Sequence, residues 1–426
     1  MKKNIWKVIA VLSMLVSTGC AGIDGTVYAA EKSEAVGKGM SSSRFESSSA
    51  YSKWNEEHEA LRTASQAYTT DLRSYYEKIV PLMLEGNENA VFSPLNLFMA
   101  FGAFAECADG DTRREVLEAL GVDLETLRNM VPALYASNDT ENPLYTSRLS
   151  GALFLKEDLA WKDGCLETLK DTYYMSSVSG KMGSDSMNSA IQKWLNEATN
   201  DLLKEDVSKV ESSERTALML MTGLYYKNSW QESFEESLTT EETFHGENGD
   251  TTVSMMHRTE EGALVENDLF IAKRESVNYG SVWFVLPNEG VKMEDVLSSS
   301  ELYDTLLNNS LDWHPYMVNE GIPKTEVHQN TDLIPVMEKL GITDMDDLSN
   351  LTDQPVVLSS AEHAALLKMD EEGIEGAAYT VMSWDEAALE TAELVEKDFI
   401  LDRPYLMFVK ADDGSLVFAA CVRNAG

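Results

Sequence analysis

The chain has 426 residues, 43% of them hydrophobic, enough for one large mixed domain or two smaller ones. Its 72 acidic residues against 34 basic ones leave a formal net charge of -38, and such a surface repels nucleic acid and anionic lipid. Cationic partners are favoured instead, although the acidity has a plainer reading, that it keeps an exported protein dispersed.

Met1-Lys2-Lys3 followed by the apolar run Val8 to Val16 has the form of an export signal and is too short to span a bilayer. Ser17-Thr18-Gly19-Cys20 closes the run. A cysteine after small residues at this point resembles the bacterial lipobox, so Cys20 is the expected lipidation site and residues 1–20 the signal. Ser17 stands where a larger aliphatic residue is usual. Val27-Tyr28-Ala29-Ala30 is the alternative cleavage site, and cleavage there would release the protein freely. Residues 21–55 hold Ser41-Ser42-Ser43 and Ser47-Ser48-Ser49 without apolar periodicity; they are expected to form a flexible tether. Residues 56–426 are expected to form the folded head of a cell-surface lipoprotein, touching membrane only through the lipid.

From His58 to Leu84 the apolar spacing of Leu61, Tyr68, Leu72, Tyr75, Tyr76, Ile79 and Leu82 predicts an amphipathic helix with Pro81 near its end. Ser93-Pro94 suits a helix start, and the almost wholly apolar Leu95 to Ala105 predicts burial on all sides. Asp111-Thr112-Arg113 opens another helix, closed by Gly121. Ala190 to Lys204 is a further helical segment. Strand signals follow at Ala217 to Tyr226, Thr251 to Met256, Ser281 to Leu286 before Pro287, around Glu326, at Phe399 to Phe408 and at Val417 to Val422. Helices first and mostly antiparallel strands later predict an α+β architecture of several sheets.

The four cysteines, Cys20, Cys107, Cys165 and Cys421, are far apart in sequence and match no metal spacing. With Cys20 lipidated the other three cannot all pair, and each is read as a small buried hydrophobe rather than half of a disulfide. G-x-S-x-G, Walker, H-E-x-x-H and G-x-G-x-x-G motifs are missing. The chain is therefore read as a non-enzyme without metal or cofactor.

Residues 371–398 stand out. This segment of small, weakly apolar residues is too long for a hairpin turn and too uncharged for an ordinary solvated loop. It alternates like a strand not yet placed in a sheet. Ile374, Gly376, Ala378, Thr380 and Met382 share one parity, while Glu375, Ala377, Tyr379, Val381, Ser383 and Asp385 share the other. The first set could slide between packed neighbours and the second could face water. A mobile surface loop is the bland alternative.

The run Glu371-Glu372-Gly373-Ile374-Glu375-Gly376-Ala377-Ala378-Tyr379-Thr380 resembles the hinge of the serpins, and Phe399-Ile400-Leu401-Asp402-Arg403-Pro404-Tyr405 resembles the strand after their reactive loop. Three further regions agree: Asn89-Ala90-Val91-Phe92-Ser93-Pro94-Leu95 with Ala108 to Leu117; Thr222 to Trp230 with Phe234, Thr239, Phe244 and His245; and Ile322-Pro323-Lys324 with Leu340 to Asp344. The similarity covers roughly residue 60 to the C-terminus, in order.

The resemblance implies a serpin fold of three β-sheets with eight or nine helices and an exposed reactive loop, in a bacterial exported member. It implies a monomeric suicide inhibitor of serine proteases. Glu371, Glu372, Gly373, Ile374, Glu375, Gly376, Ala377, Ala378 and Thr380 match the hinge. Ser93, Asn96, Thr222 and His363 match the shutter beneath the central sheet, and Trp230 matches the breach at its top. Asn96 and Thr222 stand where serine and asparagine are usual, and Ile374 replaces a threonine or serine. Counting from Gly373 places the reactive bond at Ala387-Ala388, which suits an elastase-like partner. Glu386, Leu389 and Glu390 are alternatives, the glutamates implying glutamyl-specific targets. Ile374 and Tyr379 keep open a noninhibitory serpin, cut without trapping. A surface binding protein in which the loop is incidental is a further alternative.

Overall fold

The computed structural model describes residues 27–28, 48–141, 145–307, 314–358, 360–374 and 394–425. Cys20, the hinge residues Glu375, Gly376, Ala377, Ala378 and Thr380, and the reactive-bond candidates Glu386, Ala387, Ala388, Leu389 and Glu390 lie outside them.

Eight helices of at least eight residues and three shorter ones are present among the described residues. The expected helix over 58–84 is two, Ser48–Thr69 and Arg73–Met83. The break follows Thr69-Thr70, a β-branched pair of low helix propensity. The first of these helices begins inside the stretch read as tether. Pro94–Cys107 is buried along its length except at Ala100, with the Ser93 side chain accepting from the Asn96 amide as N-cap. Gly110–Leu120 ends at Gly121, whose φ of 74° is the left-handed cap that glycine favours. Leu124–Asn138, not anticipated, carries an identifiable signal: Asp123 caps the Thr126 amide at 2.7 Å, and Leu127, Met130, Val131 and Leu134 form a buried stripe. The segment expected over 190–204 is Asp185–Ala198, capped by Ser184. It stops where Asn200 and Asp201 take φ values of 53° and 64°, a conformation these short polar residues tolerate.

The central sheet runs in the order Val27–Tyr28, Met175–Gly180, Tyr145–Lys156, Leu218–Ser229, Gly373–Ile374, Glu362–Met369, Thr325–Asp332. Thr140–Glu141 pairs with Tyr145–Lys156 as an eighth strand of this sheet, and the other strands form a nine-stranded network that includes Gly249–Glu266, Gly280–Pro287, Tyr405–Lys410 and Leu416–Val422. Among the described residues its two parts pair through one three-residue ladder, Leu264↔Lys273 to Glu266↔Ile271, so the three expected sheets are recognisable with the second and third joined. Phe399 to Phe408 is not one strand. Glu396–Ile400 pairs parallel with the strand His314–Pro323, the chain bends through Asp402-Arg403-Pro404, and Tyr405–Lys410 pairs antiparallel with Gly280–Pro287. Pro404 lacks the N–H a continuous ladder would need.

One apolar core lies among the helices and the sheet face they cover. A second lies between the sheets, where Tyr226, Leu367, Met369 and Ile374 meet Phe284, Tyr405, Met407 and Phe418.

Candidate functional site: a gap in the central sheet

Leu218–Ser229 and Glu362–Met369 are neighbours in the central sheet, yet among the described residues they form no ladder with each other. Only at one end are they joined, by Gly373–Ile374. Ile374 pairs with Met369 on one side and Asn228 on the other, and Gly373 pairs with Ser229, all antiparallel. The chain reaches that position by a tight reversal. Asp370 accepts the amides of Glu372 at 2.9 Å and Gly373 at 3.3 Å through Oδ1, and its own amide donates to the Gly373 carbonyl at 3.0 Å. Gly373 is required here by close approach, because a Cβ would lie 2.3 Å from the Asn228 carbonyl oxygen. Ile374 is 0% exposed, which agrees with the inward parity expected of it.

Trp230 and its neighbours hold this reversal. The indole Nε1–H donates to the Asp370 carbonyl at 2.9 Å, and the Trp230 amide donates to the Glu372 carbonyl at 3.1 Å. The Phe234 amide donates to the Glu371 carbonyl at 3.0 Å, and its ring stands edge-on to Trp230, 5.9 Å between centroids. The buried Glu371 carboxylate receives Lys324 Nζ at 2.7 Å and Thr239 Oγ1 at 2.9 Å. Burial alone would raise its pKa, but the hydrogen bonds from Lys324 and Thr239 outweigh it and hold the group below its ordinary value. Sequence reading assigned no role to Lys324, Thr239 or Asp370, because nothing local marks the pairing of Lys324 with a residue 47 positions away.

Farther down, the unjoined strands border a cavity of about 40 Å³. Ser93, Asn96, Thr222 and His363 all line it, so the four residues matched to a shutter are brought to one place. The Ser93 amide donates to His363 Nε2 at 3.1 Å, so the ring is an acceptor there and carries its proton on Nδ1. Burial pushes the imidazole pKa down to about 4, and the ring is neutral at physiological pH. Asn96 is buried, and its Oδ1 has no hydrogen-bond partner among the described residues. Thr199, Leu202 and Leu203 also line it. They follow helix Asp185–Ala198, whose last residue sits on Gly223 so closely that a Cβ there would lie 2.7 Å from the Ala198 Cβ.

Among the described residues, Glu260, Glu275 and Glu320 present oxygens within 4.8 Å of one another. Arg258 and Lys273 already sit among them, with Arg258 3.1 Å from Glu320 and Lys273 3.0 Å from Glu260. Burial and the neighbouring Glu275 push Glu320 up to about 8. The cluster is charge-balanced by side chains and presents no vacant cation site.

Residues 74–425 match the family model described as Serpin (serine protease inhibitor). Mouse alpha-2-antiplasmin is 27% identical over 87% of this chain and 73% of its own length. Horse alpha-1-antiproteinase 2 is 28% identical over 75% of this chain and 77% of its own. Among solved structures, the thermophilic serpin tengpin in its native state superposes with a TM-score of 0.74 at 19% identity, covering 84% of this chain and 94% of that one.

Proposed function

The chain belongs to the serpin family, and on that premise we propose that it is a suicide-substrate inhibitor of serine proteases. The observation that carries this reading is the unjoined pair of central strands with Gly373–Ile374 already seated between them at one end. Insertion of a serpin reactive loop into a β-sheet is an established instance of strand addition.

Continuing the observed register gives the reading its detail. Six residues beyond Ile374, Thr380 falls opposite His363 on one side and Thr222 on the other. Ala378 falls between Ala365 and Leu224, and Gly376 between Leu367 and Tyr226. Directly paired residues share a face. His363, Ala365, Leu367 and Met369 are all buried, so Ile374, Gly376, Ala378 and Thr380 would face the core between the sheets. The arriving strand would bring N–H groups to the level of the unpartnered Asn96 Oδ1. The opposite parity would not meet open water throughout. Tyr379 falls opposite Gly223, under Ala198 of the covering helix, so its ring would displace the end of that helix.

The chemistry belongs to the target. Its nucleophile attacks the Ala387 carbonyl, expels the Ala388 amine and forms an acyl-enzyme. The freed loop enters the gap and draws the protease with it before water deacylates the ester. New ladder bonds and the entropy of ordering a strand are similar in size, so inward side-chain burial decides the balance. Ala387 favours an elastase-like partner. Lipid attachment at Cys20 is the localisation we favour: Val27–Tyr28 pairs with Ser177 and Val178 at the sheet edge, and cleavage after Ala30 would remove that strand.

The test is incubation with elastase-like and glutamyl-specific proteases, followed by a denaturing gel and sequencing of the released peptide. A band at the summed mass and a new N-terminus at Ala388 are expected. Cleavage without a covalent band, and without a rise in heat resistance, would make the chain a noninhibitory serpin. Ligand binding that survives loop cleavage would favour a surface binding protein.

A further inference from the structure

We propose that Cys107 and Cys165 form a disulfide that staples helix Pro94–Cys107 to helix Asp163–Thr172. In the structure both are thiols, 2% and 4% exposed. They are 58 positions apart in sequence, yet Cys107 ends one helix and Cys165 lies in the first turn of the other. Cys165 Sγ is 3.6 Å from the carbonyl oxygen of Glu106, the residue before Cys107, and Cys165 is close enough to raise the pKa of the Cys107 thiol. The surroundings fix both helices. The Glu106 carboxylate is paired with Arg128 and accepts from Tyr173 Oη at 3.3 Å, while its carbonyl also accepts Asn350 Nδ2 at 2.7 Å. Cys421 lies on another element, in strand Leu416–Val422.

The neighbouring Cys165 and burial keep the Cys107 thiol protonated in the folded chain, and both sulfurs lie in buried residues, out of the reach of external reagents. The bond therefore forms during folding, while the helices are still apart. Two thiols lose two protons and two electrons to one S–S bond, and an external disulfide takes up the electrons and becomes two thiols, by exchange through a mixed disulfide. The link would join the helix whose N-cap Ser93 contacts His363 to the helix that leads into Met175–Gly180, on the far side of the gap.

The full chain is refolded in glutathione and glutathione disulfide, alkylated in denaturant without reductant, and mapped by mass spectrometry. A linked peptide pair containing Cys107 and Cys165 is expected, lost on reduction, with Cys421 alkylated. At one fixed scan rate the oxidised chain should unfold about 5 °C above the reduced one, a difference that Cys165→Ser abolishes. Alkylation of both Cys107 and Cys165 in every preparation, or pairing of either with Cys421, would overturn the assignment. The map of the unaltered chain decides the question even if the serine variant fails to fold.

Discussion

Replacing Ala378 by arginine tests whether the register seen at Ile374 continues down the gap. In that register the side chain at 378 would sit beside Ala365, 4% exposed, and above the apolar residues between the sheets. A guanidinium there would have no carboxylate opposite it, and burying an unpaired charge costs about 4 kcal/mol. If half of that cost is felt in the transition state for insertion, the step slows roughly 30-fold. Were insertion tenfold faster than deacylation in the parent, it would be about threefold slower in the variant, and about three molecules in four would be cleaved and released. Titration of a susceptible protease reads this as a stoichiometry of inhibition rising from near one to about four, with a weaker covalent band on the gel. An unchanged stoichiometry would refute the inward placement of Ala378 and the register behind it.

Gly373→Val should lower the free energy of unfolding by about 2 kcal/mol or more, read as a lower urea midpoint, because its Cβ would lie 2.3 Å from the Asn228 carbonyl oxygen and 2.7 Å from the Ser229 Cα; an unaltered midpoint would contradict the close approach. Lys324→Ala leaves the buried Glu371 carboxylate without its cation and should cost about 1–2 kcal/mol, a moderate figure because Lys324 is itself half-exposed and screened. The same urea titration on a Glu371→Gln, Lys324→Ala double variant should show less than the sum of the single effects. His363 is held neutral, its pKa pushed from 6.5 down to about 4. The unfolded chain therefore binds the extra proton first, and this contribution to stability is complete above pH 6.5 and lost as pH falls toward 4, about 3 kcal/mol in all. His363→Gln should remove that part of the pH profile, and identical slopes for the two proteins between pH 6.5 and 4 would exclude it.

Much of the architecture was legible in the residues because the signals were local. Ser93 followed by Pro94, and Gly121 after an amphipathic turn, mark helix ends by their own backbone chemistry. The alternation that put Ile374 on an inward face needed only the two-residue period of a strand. Reading failed where a local pattern had a nonlocal competitor. Phe399 to Phe408 looks like one buried strand, but Pro404 and separate partners divide it. The helix over 58–84 breaks at a threonine pair that the apolar spacing runs straight through.

Composition, periodicity and motif order were sufficient by themselves for an α+β chain with one unusually long, strand-like loop, since those properties reside in neighbouring residues. Whether that loop has somewhere to go is a different kind of fact. The gap between Leu218–Ser229 and Glu362–Met369, the salt bridge from Lys324 to Glu371, the meeting of Ser93 with His363 and the approach of Cys165 to the Glu106 carbonyl all join residues separated by at least 47 positions. Folding alone brings such groups together, because their proximity is set by how whole sheets and helices pack and not by any preference of the residues along the chain.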